Sequence, residues 1–367
     1  MYSRASVKSI FWYLVLPREL LRLSQERSLT GRERMLYLWC IHCRGLHTVE
    51  GSAFPEEVLG MRLGFVGTGT MGNPMACCLI AAGHQLTVYD LRREATTNLC
   101  ELGARWAETP RTVAEASEVV FTSLPGPTEV EQGVLDPVSG ILTGLRPGGA
   151  YIDMTTNAPR VFRRLAEACL ARGVKVLDAP VSGRPLGMTI MVGGDRATFT
   201  TYRPLLECMG RNIFYVGETG AGCIAKLVTQ YLGYANFVTA LEGLLIGAKA
   251  GIDLRTLAQI VPVSAGASRT FDNIPRSVFN GEFSAGGTLD IVAKDLHLAC
   301  ELAREVGVPA HMGLIADDAL QRAQAQGWGQ QGYPIVARVL EAMAGIELRA
   351  PAASSDLGYQ AEDPRRG

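Results

Sequence analysis

The sequence predicts an α/β protein in two parts: a doubly wound, mostly parallel sheet over residues 61–219, then an all-helical domain over residues 220–347, joined by a long helix. Three observations carry this. From Met61 onward, short apolar runs alternate with helix-length amphipathic segments, the pattern of repeated βαβ units. Glycines cluster where the apolar runs end, as turns between strands and helices require. After about residue 220 the strand signals stop and helical periodicity continues alone.

The elements follow in order. "MRLGFV" reads as a short buried strand and "TMGNPMACCLIAAG" as a helix that stops at glycine. "HQLTVYD" is the next strand and "REATTNLCELG" the next helix. "EVVFTSLP" and "AYIDMTT" are further strands, and "PRVFRRLAEACLARG" is the helix after the latter. "VKVLDAP" and "MTIMVGG" are late strands, followed by the helix "DRATFTTYRPLLECMG". A helix beginning near "GAGCIAKLVTQYL" runs to about Ala250, before Gly251. A disordered tail is expected over 348–367, where "APAASSDLGYQAEDPRRG" is small, polar and proline-containing.

Residues 1–60 do not share this pattern. "SIFWYLVLP" is too short to span a bilayer. Glu19, Glu26 and Glu33 argue against a transit peptide. With Met61 restarting a clean strand pattern, the segment is expected to be a dispensable extension. Cys40 and Cys43 are spaced C-x-x-C, but no second pair follows, so no zinc site is expected.

With 367 residues, 47 % of them hydrophobic, the chain can build two cores. A net charge of −1 gives no basic excess for nucleic acid or an anionic membrane. The nine scattered cysteines suit a reduced, cytoplasmic protein better than a disulfide framework.

The chemistry begins at "GFVGTGTMGNPM". Gly67, Gly69 and Gly72 form G-x-G-x-x-G between a strand and a helix. In this pattern the first glycine makes a tight turn, the second admits a pyrophosphate, and the third lets helix pack on strand. The loop Gly67, Thr68, Gly69, Thr70, Met71 and Gly72 therefore reads as a cofactor site, with the helix N-terminus facing the phosphates. Asp90 closes the next strand, where an acidic ribose ligand belongs; it favours NAD, while Arg92 and Arg93 leave NADP open. Loops at the carboxyl ends of later strands face the same crevice: "SLPGP", "DMTTNAP" and "DAPVSG". In the long helix, Lys226 opens a narrow polar stripe with Thr229 and Gln230 on an otherwise apolar surface.

Taken as an ordered set with "MVGGD", "GAGCIAKLVTQ" and "AKDL", these stretches resemble the β-hydroxyacid dehydrogenase family from Met61 to about residue 345. The resemblance implies a Rossmann-type domain joined by a long helix to a helical domain, assembled as a homo-dimer or homo-tetramer. It implies that Leu124, Pro125, Thr156 and Lys294 contact the cofactor along with the glycine loop. Ser182 and Gly183 would hold a small carboxylate-bearing substrate, and Lys226 would be the catalytic acid and base. Substrates of the implied kind are 3-hydroxy acids and their semialdehydes, as in 3-hydroxyisobutyrate dehydrogenase and 2-hydroxy-3-oxopropionate reductase.

The chain departs from the family near the substrate. Thr229 and Gln230 stand where relatives usually carry asparagine, the segment after "VSG" is shorter, and an aromatic is missing before "AKDL". These departures leave a second reading, a dinucleotide-binding protein without turnover. Lys226 favours the enzyme: an ammonium can stabilise negative charge on a reducing carbonyl oxygen and donate the proton, and a neutral amine can accept it back. An imine reductase on the same scaffold is disfavoured, because such relatives typically lack this lysine.

Overall fold

The computed structural model describes residues 60–183, 187–284 and 286–350. The expected dispensable extension and the C-x-x-C pair lie outside the described residues.

The first part is a nine-stranded sheet. Its strands are β1 (Arg62–Val66), β2 (Gln85–Tyr89), β3 (Arg105–Trp106), β4 (Val119–Thr122), β5 (Ala150–Asp153), β6 (Lys175–Asp178), β7 (Val181–Ser182), β8 (Thr189–Gly194) and β9 (Asn212–Gly217). The order is β3-β2-β1-β4-β5-β6-β8-β7, with β9 paired to β8. Along the path from β3 to β6 every successive pair is parallel, and so is β8 with β9. The pairs β6–β8 and β7–β8 are antiparallel. Strand order reverses at β1, so a crevice opens beyond the carboxyl ends of β1 and β4.

Both faces of the sheet are covered. Leu63, Phe65, Val119 and Phe121 pack on one side against Met75 and Leu79 of α1 (Gly72–Ala81). Val120 and Tyr151 pack on the other against Val113 of α3 (Pro110–Glu115) and Phe162 of α6 (Pro159–Ala171). This explains why the strands read as continuous apolar runs rather than as alternating ones. Between these elements lie α2 (Thr97–Glu101), α4 (Pro127–Leu135) and α5 (Ile141–Gly144), and α7 (Arg196–Glu207) precedes β9. The helix expected over "REATTNLCELG" divides into a 3-10 turn, Arg93–Thr96, and the short α2. β9 has no counterpart among the expected strands, although its half-exposed pattern alternates strictly, as an edge strand should.

The long helix α8 (Ala221–Lys249) is 29 residues, about 43 Å at 1.5 Å per residue. It serves both parts. Its first turns pack against β8 and β6, and its later turns carry Phe237, Leu241 and Leu244 into a separate helical core. That core is completed by α9 (Leu254–Ile260), α10 (Ile274–Ser277), α11 (Leu289–Glu305), α12 (His311–Ala325) and α13 (Ala337–Ala344).

The chain stays anchored beyond residue 347, which corrects the expected start of the tail. Leu348 is buried, and its N–H donates to Glu341 Oε1 at 2.9 Å. Arg349 donates to both oxygens of the same carboxylate, at 2.6 and 3.1 Å. A buried glutamate must be paired, and the segment after α13 supplies the pair. Residues 351–367 lie outside the described residues.

Candidate active site

The glycine loop divides its work among three residues. Gly67 turns with φ +88°, and a Cβ there would run into the Ser123 carbonyl oxygen and lie 2.7 Å from Leu124 Cδ2. A Cβ on Gly72 would overlap the Gly67 carbonyl oxygen. A Cβ on Gly69 would meet no atom of the described residues within 4 Å. Two of the glycines are thus demanded by the protein itself. The third faces open space beside the first turn of α1, which has no side-chain cap and no acidic residue. A helix N-terminus without a side-chain cap, next to an unobstructed glycine, fits a pyrophosphate.

Asp90 already has partners here. Its Oδ2 accepts from Thr68 N–H at 2.8 Å and its Oδ1 from Arg92 N–H at 2.9 Å. A carboxylate has about four acceptor positions, so capacity for ribose hydroxyls remains. Thr68 is buried, and its hydroxyl donates to Ala95 O at 3.2 Å. It therefore shapes the loop from within, whereas Thr70 is exposed and Met71 half-buried at its rim. Arg93 lies over the Trp106 ring at 4.3 Å, while Arg92 is exposed.

The loops after β4 and β5 are fastened to each other. Leu124 N–H donates to Thr155 Oγ1 at 3.0 Å. Beneath them Asp153, fully buried, accepts from Thr122 Oγ1 (2.8 Å), Thr155 N–H (3.0 Å) and Asn157 Nδ2 (2.9 Å). Burial raises the Asp153 pKa, and these bonds oppose the rise. Pro125 is exposed and Thr156 half-buried at the top of this arrangement.

Lys294 of α11 crosses from the helical part to the same loops. Its Nζ lies 3.3 Å from Thr156 O and 2.8 Å from Asp295 Oδ1. A Cβ on Gly126 would lie 2.8 Å from Lys294 Cδ, so glycine makes room for the crossing. Asp295 Oδ2 accepts from Gln230 Nε2 at 2.6 Å, and that nitrogen lies 2.8 Å from Tyr234 Oη.

Lys226 is 6 % exposed, one turn into α8. Burial lowers its pKa to about 8; the Asp295 carboxylate resists that fall and the Lys294 charge adds to it. Its place is set by Asp178 at the end of β6. That buried carboxylate accepts from Gly220 N–H and Cys223 N–H, both at 2.8 Å, and so caps α8. Gly193 and Gly222 stand so close to this carboxylate that side chains would collide with it. Asp178 also leads directly into Val181–Ser182, so one residue ties the start of α8 to the Ser182–Gly183 corner. There Ser182 is half-buried opposite Thr189, and Gly183 is exposed with φ +89°.

The structure thus brings Lys226, Gln230, Lys294 and Thr156 into one cluster. Thr229 does not join it: the residue is exposed, and its hydroxyl returns to Lys226 O at 2.8 Å. Sequence reasoning missed Asp295, Tyr234 and Asp178. Asp295 adjoins Lys294 in "AKDL", and Tyr234 follows Gln230 at i+4 on the lysine face, so a helical-wheel reading held a signal for both.

Two family descriptions match consecutive stretches of the chain. Residues 62–217 match the family described as the NAD binding domain of 6-phosphogluconate dehydrogenase, and residues 220–340 match the one described as NAD-binding of NADP-dependent 3-hydroxyisobutyrate dehydrogenase. The chain is 33 % identical over 294 residues to 2-(hydroxymethyl)glutarate dehydrogenase of Eubacterium barkeri, covering 78 % of this chain and 97 % of that protein. It is 34 % identical over 293 residues to 2-hydroxy-3-oxopropionate reductase of Escherichia coli, covering 78 % and 100 %. The crystal structure of 3-hydroxyisobutyrate dehydrogenase from Salmonella typhimurium superposes with a TM-score of 0.69 at 29 % identity, over 76 % of this chain and 99 % of that one.

Proposed function

Because the chain belongs to the β-hydroxyacid dehydrogenase family of NAD(P)-dependent oxidoreductases, we propose that it interconverts a small 3-hydroxy acid and its semialdehyde with Lys226 as general acid and base. The observation that carries this is a buried lysine in the first turns of the helix that packs on both the sheet and the helical core; burial there lowers its pKa to about 8. Near neutral pH such a group exchanges a proton far more readily than an ordinary lysine, near ~10.4.

The nicotinamide, when bound, supplies or accepts the hydride. The chain's own residues do the rest. Lys226 as ammonium stabilises the carbonyl oxygen and delivers its proton; as neutral amine it takes the proton from the alcohol. Ser182 Oγ and the Gly183 N–H are assigned to the substrate carboxylate. Gly67, Gly69, Gly72 and the first turn of α1 are assigned to the pyrophosphate, and Leu124, Pro125, Thr156 and Lys294 to the nicotinamide end. Assembly as a homo-dimer or homo-tetramer in the cytoplasm belongs to the same reading, and sedimentation measures the former.

The test is a screen of purified protein with NAD, NADP, NADH and NADPH against 3-hydroxy acids and semialdehydes. Turnover with none of them would leave the second reading, a silent dinucleotide-binding protein. Within the screen NAD is expected to bind more tightly than NADP, because Asp90 would face a 2′-phosphate with like charge. Equal or tighter NADP binding in titrations would shift control of that pocket to Arg92 or Arg93.

A further inference from the structure

Tyr234 lies two helical turns beyond Lys226 on one face of α8, with Gln230 between them. Helical side chains lean toward the N-terminus, so the phenol leans over Gln230 toward the lysine. The proton positions in this group follow from its chemistry. Asp295 is ion-paired with Lys294 at 2.8 Å, and a carboxylate only accepts. The Gln230 atom 2.6 Å from Asp295 Oδ2 is therefore the amide nitrogen, not the oxygen. That nitrogen has two hydrogens and no acceptor capacity, so at 2.8 Å the Tyr234 oxygen must accept the second. The phenol's own hydrogen is then left over, and among the described residues no protein acceptor takes it.

The ring is held in place. It meets Tyr333 edge-on at 5.8 Å, and Tyr333 in turn meets Phe237 at 4.8 Å. Burial raises the Tyr234 pKa well above its usual value of 10.0, so the hydroxyl stays protonated. A fixed, neutral, unspent donor beside the lysine cluster is the kind of group with which a pocket recognises an acceptor oxygen on its ligand.

We propose that Tyr234 is a specificity-determining residue whose O–H donates to an oxygen on the C2 substituent of the substrate, favouring 3-hydroxy acids with a C2 oxygen over those with a C2 alkyl group. The inference rests on the 3-hydroxy-acid reading above. It adds a substrate preference that Lys226, Ser182 and Gly183 do not supply, since those groups would hold parts common to every such acid.

The test uses two non-reacting dicarboxylates, tartronate with a C2 hydroxyl and methylmalonate with a C2 methyl. Their affinities for the NADH-loaded full chain are measured by calorimetry, for wild type and Tyr234→Phe. Wild type should prefer tartronate by about tenfold, the scale of one good neutral hydrogen bond. Tyr234→Phe should erase most of that ratio and leave NADH affinity unchanged. Gln230→Met, which removes the amide that orients the phenol, should lower the same ratio and serves if Tyr234→Phe fails to fold. A ratio that neither variant changes overturns the inference, as does wild type preferring methylmalonate. If wild type turns over 3-hydroxy acids while the ratio is insensitive, the reading stands and only Tyr234 loses its role. If no 3-hydroxy acid is turned over, both fall.

Discussion

The glycine loop and the lysine cluster are built on opposite principles. In the loop the work is done by backbone. Gly67 and Gly72 let carbonyl and helix approach, Asp90 binds two N–H groups, and the open side at Gly69 needs no side chain. In the cluster the work is done by side chains from distant parts of the chain. Lys226, Lys294 and Asp295 place two cations and one anion together in a largely buried space. A backbone site is specified locally, by residue types that permit one conformation. A buried charge cluster is specified by its surroundings, and it carries a desolvation cost that the loop avoids.

The largest expected effect tests the catalytic side of this contrast. Lys226→Ala should lower kcat by ~10²-fold or more while NAD(H) affinity stays nearly unchanged. Lys226→Arg should rescue little, because guanidinium does not release its proton. In wild type, oxidation should speed up as pH rises through about 8, where Lys226 loses its proton, and reduction should slow over the same range. Full turnover by Lys226→Ala on a confirmed substrate would reduce the lysine to a structural cation.

The cost of the cluster is measurable as stability. The folded-state pKa of Lys226 is about 8, lowered from 10.5 by burial. The unfolded chain therefore binds this proton more tightly, and the penalty is fully present below pH 8, shrinks between about 8 and 10.5, and is gone above. The size is about 3 kcal/mol at most. Lys226→Met should accordingly raise the melting temperature at pH 7, with a gain that fades toward pH 10.5. A gain independent of pH would mean that packing, not charge, is responsible.

The loop offers the smaller contrast. Gly72→Ala forces a methyl onto the Gly67 carbonyl oxygen and should cost ~1–3 kcal/mol of stability. Gly69→Ala has no atom of the described residues to meet and should leave the melting temperature almost unchanged while weakening cofactor binding. Thermal denaturation and cofactor titration of the two variants separate a glycine needed by the fold from one needed by the ligand. Equal loss of stability in both would break the distinction.

Legibility in the sequence follows the same division. The alternation of strands and helices, the glycine triplet and the position of Asp90 are short-range patterns, each set by a handful of consecutive residues, and a linear reading finds them. β9 is harder to see, because an edge strand with alternating half-exposed residues carries a weaker apolar signal than the buried strands beside it. A tail boundary at 348 falls two residues early, because Leu348 and Arg349 are held by Glu341, a partner whose role no local pattern reveals.

By itself the sequence determined the two-part architecture, the glycine loop between β1 and α1 and the suspicion attached to Lys226, because periodicity and turn chemistry are local. Only the tertiary structure decided which polar groups meet that lysine. Thr229 and Gln230 are adjacent in sequence, yet one faces out and bonds its own helix while the other meets Asp295, which is 65 positions away. Helical residues one position apart point in directions about 100° apart. Which of those directions faces the other domain depends on how α8 is anchored by Asp178 and packed against α11. Buried electrostatics depends on those long-range contacts, and a linear pattern does not carry them.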